Sequence, residues 1–342
     1  MESIYNFTEK ELKDKISLEG LPGYTAGQIF GWIYGKKVRN FDLMSNLSKQ
    51  TKDFLKENFS IPGLDLMQKE KSSDGTEKFL FGLEDGLAIE TVLIPAKARS
   101  TLCVSTQVGC KFKCLFCASG EKGFTRNLTA GEIISQYLAV SKLKISSNIT
   151  NIVFMGIGEP LDNFENTVKG INILINPKGI KFTKRKISIS TCGLSPEIRK
   201  LANLKLGIRL SVSLHSADDN IRNKLVPINK KYPIEELISA IREFSKASKD
   251  PVTFEYVLIQ NINISRDDAR KLSKLLNRFN SKVNLIPYNG VSSKFKAPTQ
   301  EDIDVFSQEL EKNSVFFTLR KSRGQDINAA CGQLRAKYSL DK

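Results

Sequence analysis

Between residues 101 and 320 short apolar runs alternate with longer amphipathic stretches, a pattern that few architectures can satisfy. Strand character falls near 101–106, 150–155, 186–191, 208–214, 252–260, 283–287 and 315–320. Helical spacing falls near 129–145, 163–175, 195–204, 233–247, 265–278 and 300–312. The strand runs are apolar enough to be buried on both faces, as in a parallel sheet covered by its own crossover helices. Six β-α units and a seventh strand fall two short of a closed eight-fold barrel. The expected fold class is therefore α/β with a partial (β/α)6 barrel, whose ligand sites lie at the C-terminal ends of the strands.

The chain ahead of the barrel reads differently. Between residues 8 and 60, ELKDKISL, AGQIFGWIYGKK and LSKQTKDFLKENF have helical spacing and are separated by GLPGY and VRNFD. IFGWIYGKKVRNF interleaves aromatics with Lys and Arg, as nucleic-acid surfaces do. Equally, Ile29, Phe30, Trp32 and Ile33 form a core stripe flanked by solvated charge. From 63 to 107 the period shortens to LDLMQKEKS, TEKFLFGL, LAIETVLIP and TLCVSTQV. Ser73-Asp74-Gly75 and Glu84-Asp85-Gly86 join these runs, and Asp-Gly steps between alternating runs mark hairpins. The expected division is a small N-terminal helical, RNA-binding domain over 1–60, a β-hairpin extension over 61–98, a barrel core over 99–325 and a C-terminal segment over 326–342.

The informative residues gather at the strand ends. Cys110, Cys114 and Cys117, in VGCKFKCLFCASG, follow the first strand with C-x3-C-x2-C spacing and have no obvious fourth ligand after them. Structural clusters and zinc sites usually take four donors, whereas three donors on a four-iron cluster leave one iron open for chemistry. Zinc ribbons begin with C-x2-C pairs and need a second knuckle, which this chain lacks; zinc with Cys103 as fourth ligand is the competing reading. GIGEP follows the second strand, STCG the third, SLHS the fourth and PYNG the sixth. The glycine turn lets backbone approach a small ligand, and Glu159 can accept hydrogen bonds from an ammonium. Ser190, Ser213 and Asn289 suit a carboxylate or ribose, or cap the helices that follow. His215 is the one histidine, so a His-based metal site is excluded and a partner role or a buried hydrogen bond is left for it. Phe116 either packs an adenine at the open iron or anchors the loop, and Cys192 and Cys331 read as ordinary buried cysteines unless the barrel brings Cys331 to the rim.

With 52 Lys and Arg against 37 Asp and Glu, the chain carries +15, which points to a polyanionic partner, nucleic acid first. Genome base bias toward Lys, Asn and Ile contributes to the same composition. No apolar stretch is long enough to cross a bilayer, and six cysteines are too few for a disulfide scaffold. The expectation is a cytoplasmic monomer without a membrane partner.

Together these residues carry a resemblance. The cysteine trio with Phe116 is similar to the signature of radical S-adenosylmethionine (radical SAM) enzymes. The ordered set AIETVLIP, TLCVSTQVGC, GIGEPLDN, ISTCG, SVSLHSADD, KLVPINKKYPI, NLIPYN and DINAACGQL resembles the RlmN/Cfr family of RNA methyltransferases over nearly the whole chain. The resemblance implies a partial (β/α)6 radical SAM barrel in which Cys110, Cys114 and Cys117 hold a 4Fe-4S cluster. S-adenosylmethionine, two molecules per turnover, would be bound by Gly158, Glu159, Ser190, Ser213, Leu214 through its backbone, His215 and Asn289. It further implies that Cys331 carries a methyl group, Glu90 accepts the proton of adenine C2, and Cys103 displaces the Cys331 sulfur to release the RNA, leaving a disulfide bond. Implied partners are 23S rRNA, at the peptidyl-transferase centre, tRNA at adenosine 37, and an electron donor such as flavodoxin or ferredoxin. Pro160 and Pro287 are more like the C2 enzymes than the Cfr-type C8 enzymes, and SLHS departs from the more frequent SLHA only at Ser216. The reading from another class is a non-catalytic, zinc-dependent RNA-binding protein.

Overall fold

The structure, a computed structural model, describes residues 1–342 except 122, 144–147, 249, 278, 291–293 and 335–342. The ends of two expected helices, at 144–145 and at 278, and the last eight residues of the C-terminal segment thus lie outside the described residues.

The N-terminal segment folds as strand β1 (Glu2–Ser3), helices α1 (Glu9–Leu18), α2 (Thr25–Phe30) and α3 (Lys49–Asn58), and strand β2 (Phe59–Ser60), with β2 pairing parallel to β1. Ile29, Phe30 and Ile33 are buried, so the core-stripe reading of that segment holds, while half-buried Trp32 donates to Asn46 Oδ1 at 2.5 Å with Lys36 Nζ 3.4 Å from its ring centre. The unit docks on the barrel through polar ties: Asn6 Oδ1 accepts from Gly131 N–H at 2.8 Å, and Glu9 bonds Lys178 and Asn176. Its buried side chains belong to one apolar core that continues into the barrel.

Four antiparallel strands follow: β3 (Asp65–Lys71), β4 (Glu77–Gly82), β5 (Ala88–Ala96) and β6 (Arg99–Cys103). The turns at Gly75 and Gly86 have φ of 86° and 80°, which glycine adopts without a Cβ penalty. A short ribbon, β7 (Gln107–Gly109) against β8 (Phe124–Asn127), flanks the cysteine loop. The rest alternates: α4 (Ala130–Lys142), β9 (Asn151–Phe154), α5 (Phe164–Ile175), β10 (Ile187–Thr191), α6 (Ser195–Leu204), β11 (Arg209–Ser213), α7 (Asp219–Leu225), α8 (Ile234–Ala247), β12 (Val252–Leu258), α9 (Arg266–Leu276), β13 (Ser281–Pro287), α10 (Gln300–Lys312) and β14 (Phe317–Leu319). Ser and Thr start α1, α4, α9 and α10 with reciprocal capping boxes, which satisfy first-turn N–H groups and fix where these helices begin.

Ten strands form one sheet in the order β14-β13-β12-β11-β10-β9-β6-β5-β4-β3. Strands β6 and β9 to β14 are parallel, as the β-α alternation requires, and the sheet does not close on itself. The stretch expected as a β-hairpin extension is continuous with the barrel sheet. Its outer strand β3 exposes alternating charges at the edge, which discourages pairing with another chain.

Two expectations need correction. The run 101–108 is not one strand: β6 stops at Cys103, and the chain leaves the sheet because Ser105 N–H donates to Gln136 Oε1 and Thr106 N–H to Ile157 O. Nor are the barrel strands apolar on both faces. Ile189, Val212 and Phe254 pack under the helices, while Ser190, Ser213, Glu255 and Val257 line an internal cavity.

Gln136, buried on α4, joins the antiparallel and parallel parts of the sheet. Its Oε1 accepts from Thr91 Oγ1 at 2.9 Å and Ser105 N–H at 2.8 Å, and its Nε2 donates to Ser105 O at 2.9 Å. Gln136→Leu strands these groups in a dry interior at about 1–3 kcal/mol each. Urea unfolding should show a loss of at least about 3 kcal/mol.

Candidate active site

A cavity of about 160 Å³ opens at the C-terminal ends of the parallel strands. Its wall contains Cys110, Cys114, Cys117, Gly158, Glu159, Ser190, Ser213, His215, Asn289 and Cys331, ten of the thirteen residues expected to have catalytic, cofactor-binding or metal-binding roles. Glu90, Cys103 and Leu214 are not in that wall. Leu214 is fully buried, its N–H donates to Glu255 O at 3.1 Å and its carbonyl accepts from Arg222.

The three loop cysteines share one end of the cavity. Burial holds Cys110 up at about 12 and pushes Cys114 and Cys117 upward too, and charge on Cys117 adds to the rise at the other two. Such thiols stay protonated until a metal cation displaces the protons. This sulfur-only donor set, open toward the glycine turn, fits an iron–sulfur cluster with one iron left for a ligand. Cys103 is elsewhere, on β6 opposite Val92 and packed with Ile157, Ala329 and Leu334. Among the described residues, no three His, Cys, Asp or Glu side chains gather tightly enough to hold a single metal ion. The cysteine that reaches the trio from another strand is Cys192, read from sequence as a bystander; its thiol is pushed well up by burial, then by Glu159 and Cys114.

The glycine turn is pressed against the chain leaving β6. Gly158 has φ 103°, and a Cβ there would lie 2.5 Å from Gln107 Cβ; at Gly156 one would lie 2.7 Å from Ser105 N. Both positions therefore exclude larger residues. Gln107 Oε1 accepts Glu159 N–H at 2.9 Å, and the Glu159 carboxylate accepts from Leu161 N–H at 3.1 Å and Cys192 N–H at 2.8 Å. Burial nevertheless raises the Glu159 carboxyl to about 7. His215 is held at φ 57° with Nδ1 accepting Val257 N–H at 3.0 Å, which leaves the proton on Nε2. Burial, aided by Arg222, lowers it to about 3, so the ring stays neutral. Phe116 meets it edge-on at 4.4 Å and itself lines the cavity.

The C-terminal segment closes the cavity over the cysteine loop. Gly332 O accepts from Ala118 N–H at 2.7 Å and Leu334 O from Ser119 Oγ at 2.8 Å. Asn289 Nδ2 donates to Cys331 O at 3.3 Å, and its Oδ1 accepts from Gln325 and Ser322. Cys331 is exposed and near enough to Cys117 and Cys103 that its charge would raise both thiols. Cys103 is pushed up to about 12, first by burial and then by Cys331. All six cysteines are free thiols, so the expected disulfide bond is not present.

Glu90 shares a sheet face with Val92, the register partner of Cys103. Lys78 Nζ lies 3.7 Å from its carboxylate and donates to Ile327 O at 2.5 Å, which ties Glu90 to the segment bearing Cys331. Sequence reasoning passed over Lys78, Gln107, Arg222 and Arg320. Lys78, Gln107 and Arg222 look like ordinary polar residues until the fold buries them, and Arg320 until it is placed, half-buried, at the cavity wall.

The fold and this cavity are those of a radical S-adenosylmethionine enzyme: residues 104–272 match the radical SAM superfamily, and residues 3–61 match the ribosomal RNA large subunit methyltransferase N-terminal domain. A radical SAM methyltransferase crystal structure from Sphaerobacter thermophilus superposes with a TM-score of 0.91 at 42% identity, covering 98% of this chain and 99% of that one. The chain is also 45% identical to a probable dual-specificity RNA methyltransferase RlmN of Spiroplasma citri, over 98% of each, and 43% identical to the dual-specificity RNA methyltransferase RlmN of Nitratiruptor sp., again over 98% of each. The chain belongs to the RlmN family of dual-specificity RNA methyltransferases. Membership brings an iron–sulfur cluster, S-adenosylmethionine and an RNA substrate. Among the described residues no helix is long and apolar enough to cross a membrane.

Lys78→Met removes both the cation beside buried Glu90 and the tie to Ile327. Breaking a buried pair costs about 3–5 kcal/mol. Thermal unfolding should show that loss, and limited proteolysis should cut the C-terminal segment faster than in the wild type.

Proposed function

We propose that the chain methylates C2 of one adenosine in the peptidyl-transferase centre of 23S rRNA and of adenosine 37 in some tRNAs, as a cytoplasmic monomer that consumes two S-adenosylmethionine molecules per turnover. The observation that carries the reading is the position of Cys331, held between the cysteine loop and the thiol of Cys103. A methyl carrier must see the methyl donor at the cluster and a thiol that frees it afterwards, and this cysteine neighbours both. Cys110, Cys114 and Cys117 hold a 4Fe-4S cluster, reduced by a donor such as flavodoxin or ferredoxin. When bound, the cluster supplies the electron that cleaves S-adenosylmethionine to a 5′-deoxyadenosyl radical.

The protein's own residues do the rest. Glu159 accepts hydrogen bonds from the ammonium of S-adenosylmethionine, the Gly158 backbone approaches it, and Ser190, Ser213, the Leu214 backbone, the neutral His215 Nε2–H and Asn289 orient its polar groups. Phe116 covers the adenine. Cys331 accepts the first methyl on its sulfur and, after loss of one hydrogen atom from that methyl, joins its carbon to adenine C2. Glu90 takes the C2 proton, and the unpaired electron left by this radical addition would return to the bound cluster. Cys103 then attacks the Cys331 sulfur; the C–S bond breaks toward carbon, which is protonated to the methyl group, and a disulfide is left. The protein's +15 charge suits a polyphosphate substrate. Pro160 and Pro287, both at the cavity wall, resemble the C2 enzymes more than the C8 ones, and the choice of C2 rests on that resemblance.

Anaerobic purification should give a brown protein with about four irons per chain. Digested RNA should contain 2-methyladenosine; 8-methyladenosine alone would overturn the position, and a colourless zinc protein that still binds RNA would overturn the enzyme. Cys103→Ala should accumulate a covalent protein–RNA adduct and Cys331→Ala none, so identical gels for the two variants would refute their roles.

Glu159 adds a pH dependence. Its folded pKa of about 7 lies above the ordinary carboxylate value, so below pH 7 the residue is protonated and loses its charge for the ammonium. Affinity for S-adenosylmethionine, measured by equilibrium dialysis, should fall by up to about tenfold per pH unit below that point. Glu159→Gln should bind weakly and without this slope.

A further inference from the structure

Arg222, on α7, is fully buried beneath the cavity rim. Its Nε donates to Leu214 O at 3.0 Å, its Nη2 to Cys192 O at 2.7 Å and Ser213 O at 3.1 Å, and its Nη1 to Asn229 Oδ1 at 2.5 Å. Every acceptor is neutral. The nearest acid, Asp219, is one step away, accepting from Asn229 Nδ2 at 2.6 Å and Ile234 N–H at 3.0 Å. Among the described residues no carboxylate lies within ion-pair distance of the guanidinium. Burying a cation costs several kcal/mol unless a negative charge faces it. The groups whose charge acts on it are the thiols of Cys192 and Cys114 and, more weakly, Asp219 behind Asn229; Arg222 in turn acts on Cys114. The cysteine loop is also tied to the same helix, through Leu115 N–H to Leu225 O at 3.1 Å.

We infer that Arg222 is a positioning residue with two tasks: its guanidinium is the fixed counter-charge of the iron–sulfur cluster, and its fork holds together the rim carbonyls of residues 192, 213 and 214. The inference rests on the reading that Cys110, Cys114 and Cys117 hold that cluster. A thiolate-ligated cluster is net negative and gains one further negative charge on reduction, so a fixed cation in a low-dielectric wall favours the reduced form. Gly193 belongs to the same arrangement. At φ 111°, a Cβ there would stand 3.1 Å from Arg222 Nη2.

The test uses anaerobically reconstituted holoenzyme: wild type, R222M and R222K, each examined by iron content, EPR-monitored redox titration and equilibrium dialysis with S-adenosylmethionine. At a fixed potential R222M should show about a tenfold lower reduced-to-oxidised ratio, which for a one-electron couple is a midpoint about 59 mV lower. R222K keeps the charge and should keep the midpoint. A lone ammonium cannot span three carbonyls in the guanidinium geometry, so R222K should lose about tenfold in S-adenosylmethionine affinity, or about 1.4 kcal/mol. An R222M protein without iron beside an iron-loaded R222K would support the same need for charge. R222Q, which keeps amide donors, carries the R222M expectation should R222M fail to fold. An unchanged midpoint in an iron-loaded R222M or R222Q, or an equal shift in R222K, overturns the inference. Iron-free wild-type protein would instead overturn the cluster assignment beneath it.

Discussion

The seam between the chain leaving β6 and the turn after β9 fixes the geometry of the site. Val104 O accepts Gly156 N–H at 3.1 Å, Ser105 Oγ accepts Ile157 N–H at 2.9 Å, and Ile157 O accepts Thr106 N–H at 2.9 Å. Gln107 completes it at Glu159. Because Gly156 and Gly158 carry no side chains, the two segments close to backbone contact, and the carboxylate of Glu159 is turned into the cavity. The same short stretch, continuing through β7, delivers the first of the three loop cysteines. One seam thus sets both the cysteine loop and the acidic group opposite it.

Around this seam the protein gathers ionisable groups that water would normally keep apart. Glu159 and Glu255 are pushed upward and His215 downward, all chiefly by burial. Arg320 is placed among Cys331, Glu255 and Cys103, with Nη1 at 3.7 Å from Glu255. In a dry wall each such charge acts strongly on its neighbours. Thiols that stay protonated here are inert until a cation or a bound ligand changes the local field, which suits residues that must react in order.

Much of this was legible in the sequence. The seven parallel strands and the six expected helices formed within a few residues of the stretches read from periodicity, because strand and helix periods are local properties of side-chain pattern, whereas the short α7 lies outside those stretches. The two Asp-Gly turns formed for the same local reason. The run 101–108 splits after Cys103 because its second half is drawn out of the sheet by Gln136 and Ile157, which come from elsewhere in the chain. Arg222 gave no signal in NIRNKL, where it looks like one more solvated charge, and Lys78 gave none in an alternating strand. What distinguishes them is burial, and burial depends on partners distant in sequence.

By itself the sequence determined which residue types stand at each strand end, three thiols on one loop, two glycines beside an acid, and three further cysteines outside that loop. Those choices follow from spacing and residue chemistry, which need no knowledge of the fold. Only the tertiary structure decided that Cys331 reaches both Cys117 and Cys103, that Cys192 approaches the cysteine trio while Cys103 does not, and that Glu90 is tied through Lys78 to the C-terminal segment. The physical reason is that these relations arise from the folding back of the C-terminal segment over a sheet left open on its inner face. No local pattern encodes the distance between segments far apart in sequence that meet only after the core has packed.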